Sequence, residues 1–173
     1  MTDAVNPLLE TPTLPYEVPP YDRIRPEHYL PAFAEAFGQH RAEVEAISAN
    51  PAPASFENTL VALERAGALL SRVAHAFYTV SSAHATDEIQ AIDEELAPLM
   101  AAHEDAVKLD SALYARVAAV YEQLDDLGLE GEDRYLVERW FREMTHAGAA
   151  LDDASKERLT ALNQRLSTLS TLF

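Results

Sequence analysis

Leu159-Thr160-Ala161-Leu162-Asn163-Gln164-Arg165-Leu166-Ser167-Thr168-Leu169-Ser170-Thr171-Leu172-Phe173 ends the sequence, and its apolar residues decide the fold class. Leu159, Leu162, Leu166, Leu169 and Phe173 recur in alternating steps of three and four. That spacing stacks side chains on one face of an α-helix. A strand would need alternation at every second residue, and no segment of the chain shows it convincingly. Asp152 stands where an N-cap belongs. No glycine, proline or basic last turn closes the stripe, so the sequence is expected to stop inside a helix.

The same period recurs in five earlier segments. The first runs from about Pro26 to Ser48, with Phe33, Phe37, Val44 and Ile47 on one face. Pro26 suits a first helical turn, and Pro31 can set off a short initial turn. Asn50-Pro51-Ala52-Pro53 breaks the pattern. Ser55 caps a second segment, with Glu57 in its first turn. Leu60, Leu63, Gly67, Leu70, Ala74 and Phe77 are expected on one stripe, with Gly67 and Ala74 admitting a close neighbouring helix. Thr86 caps a third, carrying Ile89, Ile92, Leu96 and Leu99, with Pro98 expected to bend it. Asp110 or Ser111 opens a fourth, with Leu113, Val117, Val120, Leu124 and Leu127 before Gly128. A fifth starts near Glu132 and carries Val137, Trp140, Phe141 and Met144 up to Gly148. The expectation is an all-α fold, an antiparallel bundle of about six helices filling residues 21–173 as one domain.

Residues 1–20 hold Pro7, Pro12, Pro15, Pro19 and Pro20. Proline lacks the backbone donor and holds the preceding residue extended. These residues therefore read as an extended Pro-rich arm. Leu8, Leu9, Leu14, Tyr16 and Val18 give it apolar surface to dock on the helical body.

At 173 residues the chain can bury a sizeable core. A net charge of −16 argues against nucleic acid and against an anionic membrane surface. With no cysteine, a disulfide framework and a thiolate metal site are excluded. Met1-Thr2-Asp3-Ala4 does not begin a signal peptide, and no apolar run approaches a membrane span.

Residues that could carry chemistry are scattered. A zinc-peptidase helix needs two histidines one turn apart with a glutamate beside the first. His103-Glu104-Asp105-Ala106-Val107 starts that pattern, but Val107 stands where the second histidine is required. His75 and His84 lie nine residues apart and face different directions. His40, in line with Phe37 and Val44, reads as a rim or core histidine. His28 belongs to the start of the first helix, and His146 stands alone. Asp93-Glu94-Glu95 and Asp125-Asp126 are adjacent on helices and diverge, so they read as solvated faces. No serine has a nucleophile-elbow setting, no glycine-rich phosphate loop is present, and Trp140 reads as packing. The expected set of catalytic, cofactor-binding and metal-binding residues is empty.

The order and spacing of short strings carry a resemblance across essentially the whole chain. They run from Asn6-Pro7-Leu8-Leu9 and Pro19-Pro20-Tyr21-Asp22 through Ile24-Arg25-Pro26-Glu27-His28-Tyr29-Leu30-Pro31-Ala32-Phe33. Asn50-Pro51, Ser55-Phe56-Glu57-Asn58-Thr59 and Ala62-Leu63-Glu64 follow. The last is Lys156-Glu157-Arg158-Leu159-Thr160-Ala161-Leu162-Asn163. The sequence resembles the N-terminal region of thimet-oligopeptidase-type zinc metallopeptidases, and Tyr29–Phe33 with Asn50-Pro51 favours the peptidyl-dipeptidase branch.

The resemblance implies a cytoplasmic zinc peptidase that removes C-terminal dipeptides from short peptides. Its zinc would lie in a catalytic domain further along the same polypeptide, before which residues 21–173 are cut off. The helical region would form a channel wall and be inactive alone, with weak self-association through an uncovered apolar face expected on the last helix at Leu162, Leu166, Leu169 and Phe173. An oligopeptidase A-like endopeptidase and a free-standing helical interaction module are the alternatives.

Overall fold

A computed structural model describes residues 5–171, and among them the fold is all-α, without strands. The α-helices are α1 (Tyr29–Ser48), the short α2 (Ala62–Arg65), α3 (Ala68–Ala83) and α4 (Asp87–Lys108). They continue as α5 (Ser111–Glu122), α6 (Gly131–Ala147) and α7 (Asp153–Thr171). Phe173, the last residue of the terminal stripe, lies outside the described residues.

Capping side chains fix most helix starts at the residues expected. Ser55 Oγ accepts the Asn58 N–H at 3.2 Å, and Thr86 Oγ1 accepts the Ile89 N–H at 3.3 Å. Asp110 Oδ1 accepts the N–H groups of Ala112 and Leu113, at 2.8 and 2.9 Å. Asp152 Oδ1 accepts the Ser155 N–H at 2.9 Å. Each bond satisfies a backbone donor that has no partner inside its own helix. A 3-10 turn, Pro26–His28, precedes α1, which accommodates Pro31 in its first turn, where a missing N–H costs little.

Three expectations need correction. The N-terminal arm is not extended throughout: Pro15–Glu17 form a 3-10 turn, and Leu14, Tyr16 and Val18 are exposed while Leu8 is buried. The Leu60–Phe77 stripe is not one helix. A π-turn (Phe56–Val61) and α2 end at Ala66, which is extended, and Gly67 adopts the left-handed region at φ 75°. Glu43 of α1 fixes the break by accepting the Gly67 N–H at 2.7 Å. Leu60 and Leu63 therefore enter one core cluster, while Leu70 and Phe77 enter another. The fourth expected segment is also shorter. α5 stops at Glu122, and the chain turns through Gly128 at φ 63°, leaving Leu127 exposed but Leu124 buried.

The first cluster joins the front of α1 (Tyr29, Phe33, Phe37) to α3 and to Ile89, Ile92 and Leu96 of α4. Tyr29 and Phe33 both set their rings against Phe77, with centroids 5.0 and 5.9 Å away. The second cluster joins Val44 and Ile47, at the rear of α1, to Leu113, Val117, Val137 and Met144 from α5 and α6. Helix α1 thus threads both clusters, and it packs on α3, α4 and α5.

Two polar ties hold the irregular segments. Arg116 donates to the carbonyls of Asn50 and Ala52 at 2.8 and 3.0 Å and to Asn58 Oδ1 at 2.8 Å, pinning the proline loop to α5. Near the N-terminus, Leu8 is buried, Asn6 Nδ2 donates to the His28 carbonyl at 2.8 Å, and Arg72 of α3 donates to the Leu8 carbonyl at 3.2 Å.

Candidate docking face

Helix α7 is seated on α4 through polar side chains. Lys156 is buried, and its Nζ donates to the Leu109 carbonyl at 2.9 Å and to Ser111 Oγ, joining the end of α4 to the start of α5. Two turns on, Asn163 Nδ2 donates to Asp105 Oδ1 of α4 at 2.8 Å. A surface helix ordinarily buries its apolar stripe and shows water its polar one. Here the order is reversed. Leu162, Leu166 and Leu169 are 57%, 64% and 49% exposed, as expected of an apolar face left uncovered.

Leu151, in the turn before α7, is exposed, as is Leu99 of α4. A groove of about 560 Å³ between α1 and α4 is lined by Leu30, Phe33, Phe37, Leu99 and His103. Scattered surface leucines are ordinary, but three in register on one helix over a polar contact are the pattern of a face shaped for another apolar element.

The residues weighed for chemistry do not converge. His28 Nδ1 accepts the Arg25 N–H at 3.0 Å and so shapes the approach to α1. His75, His84 and His146 are exposed and separate. Asp93 is half-buried, and burial raises its carboxyl above the ordinary range, while Glu94 and Glu95 face solvent. Trp140 packs against the second cluster and donates from Nε1 to Glu64 at 2.9 Å.

Sequence reasoning missed one pairing, His40 with His103, across 63 residues. Their ring nitrogens, Nδ1 and Nε2, are 2.8 Å apart, a hydrogen-bond distance. Two nitrogens on a tetrahedral zinc stand roughly 3.4 Å apart, given bonds of about 2.0–2.1 Å. Among the described residues no group of three or more His, Cys, Asp or Glu could hold an ion. The residues present therefore do not fit a zinc site, and no chemistry through zinc is assigned to them. Among the same residues, no helix is long and apolar enough to cross a membrane.

Comparison with known proteins gives a consistent picture. A dipeptidyl carboxypeptidase of Salmonella typhimurium is 45% identical over 170 residues, 98% of this chain and 25% of that protein. One from Escherichia coli is 41% identical over 169 residues, with the same coverage. Oligopeptidase A of Salmonella typhimurium is 27% identical over 168 residues, 97% of this chain and 24% of that protein. No protein-family model matches the chain. The chain spans about a quarter of the length of the curated relatives it matches, and these similarities fit the N-terminal region of a thimet-oligopeptidase-type enzyme.

Proposed function

We propose that this chain is the non-catalytic N-terminal helical domain of a zinc-dependent peptidyl-dipeptidase, a cytoplasmic enzyme that removes C-terminal dipeptides from short peptides. The observation that carries the reading is 45% identity to a dipeptidyl carboxypeptidase across 98% of this chain. Identity to oligopeptidase A over nearly the same span is 27%, so the endopeptidase reading is the weaker one.

The domain's work on this reading is mechanical. Zinc and the groups that activate water would belong to the catalytic domain of the same polypeptide. Residues 21–173 would form a wall that admits short peptides and closes on them, with residues 1–20 as an arm laid against it. The exposed leucines of α7 support the reading, because a wall needs a face on which the rest of the enzyme packs. Alone, the same face would give only weak self-association.

The direct test is metal analysis and peptide digestion with the purified chain. It is expected to hold no stoichiometric zinc and to leave short peptides intact. One tightly bound zinc per chain, or peptide cleavage abolished by a chelator, would overturn the non-catalytic reading.

A further inference from the structure

His40 and His103 meet where the two core clusters join. His40 lies on α1 between Phe37 of the first cluster and Val44 of the second. His103 lies on α4 between Leu96 of the first and Val107 of the second. The Phe37 ring stacks on His103 at a tilt, with centroids 4.7 Å apart. Gly67, at the start of α3, sits so close to the His40 ring that an added Cβ would lie 3.2 Å from it. Three helices are thus fixed around one imidazole pair.

Counting protons on the pair gives an unusual constraint. One hydrogen bridges His40 Nδ1 and His103 Nε2. The neutral pair carries one more, either on His40 Nε2 or on His103 Nδ1. His103 Nδ1 is buried and has no hydrogen-bond partner. The first arrangement leaves that nitrogen as a bare lone pair, which is the milder defect. A third proton has only one place to go. If the bridge is kept, both outer nitrogens must carry hydrogen, so a buried N–H appears at His103 Nδ1 with no acceptor while the pair takes on a positive charge on one ring or the other. The alternative is that the bridge breaks.

We propose that the His40–His103 pair is a proton-sensitive latch: it holds α4 on α1 while both rings are neutral and releases the seam on acidification.

The groups around the pair relieve a third proton only in part. On α1, Glu43 favours a charged His40, but the Gly67 N–H already occupies its Oε2 at 2.7 Å. Arg41, also on α1, opposes a charged His103. On α3 the facing residue is Gly67, uncharged, at the positive end of the helix. On α4, Glu95 lines the same groove as Arg41 and His103.

Burial holds His40 below the usual imidazole range, with Glu43 acting the other way. Burial, then the charges of His40 and Arg41, depress His103 to about 4. An unfolded histidine titrates near 6.5, so the unfolded chain takes up protons that the folded one refuses. Stability from the latch is therefore fully present above about pH 6.5 and is lost as pH falls towards 4.

Urea unfolding of the 173-residue chain and of a His103→Leu variant, from pH 7.5 to 4.5, tests the proposal. Carboxylate titration is common to both proteins and cancels in their ratio. The variant should be the less stable at pH 7.5. Its deficit in unfolding constant should shrink by roughly 30- to 100-fold between pH 6.5 and 4.5, since one linked proton changes that constant up to tenfold per pH unit. A deficit independent of pH would overturn the latch. Should the variant not fold, the histidine ring resonances of the unmodified chain decide. The His103 signals are expected to stay fixed from pH 7.5 to 5.5, and titration near 6.5 in the folded domain would contradict the proposal.

Discussion

Phe77→Ala is expected to lower the unfolding free energy of the domain by about 3–5 kcal/mol, a cost set by the lost apolar transfer and by the cavity left behind. Phe77 is fully buried on α3, with Tyr29 edge-on at 5.0 Å and Phe33 at 5.9 Å. Such aromatic pairs add about 0.5–1.5 kcal/mol beyond burial. Domains have about 5–15 kcal/mol of stability in all, so this one truncation removes a large part of it. Urea unfolding checks it. The midpoint should fall with an unchanged slope, and a loss below about 1 kcal/mol would mean that the first cluster is not the core described here.

The second large effect depends on context. In the isolated chain, Leu162→Glu with Leu166→Glu should change stability by less than about 0.5 kcal/mol per site, because both side chains are mainly in water and glutamate suits a helix as well as leucine does. In a full-length peptidase built on this domain, the same pair should cost several kcal/mol. Burying each leucine is worth about 1.5–3 kcal/mol, and a glutamate on a buried face adds an unpaired charge. Calorimetry of both proteins reads the contrast. A full-length protein as tolerant as the isolated chain would show that the α7 leucines are not the docking face.

The helical periods were plain in the sequence because apolar residues three and four apart report directly on a helix face. The caps Ser55, Thr86 and Asp152 were equally plain, and the fourth start was narrowed to Asp110 or Ser111, since cap oxygens act on N–H groups two or three residues away. What escaped depended on distant partners. The break at Gly67 needs Glu43, 24 residues earlier, to receive its N–H. The meeting of His40 and His103 spans 63 residues, and no local pattern announces it. The α7 stripe was legible as apolar. Its exposure was expected too; what no local pattern announced is that Lys156 and Asn163, reaching α4, hold the helix with that face outward.

The measurement that bears most directly on the proposed function is a domain exchange. The quarter of the Salmonella typhimurium dipeptidyl carboxypeptidase that aligns with this chain is replaced by residues 1–173, and the products released from a short peptide are identified. The chimera is expected to release dipeptides from the C-terminus with kcat/KM within about tenfold of the unaltered enzyme, a difference of about 1.4 kcal/mol in transition-state stabilisation. A chimera that folds but releases nothing, or that cuts peptides internally, would contradict the assignment of this chain as the N-terminal domain of a peptidyl-dipeptidase.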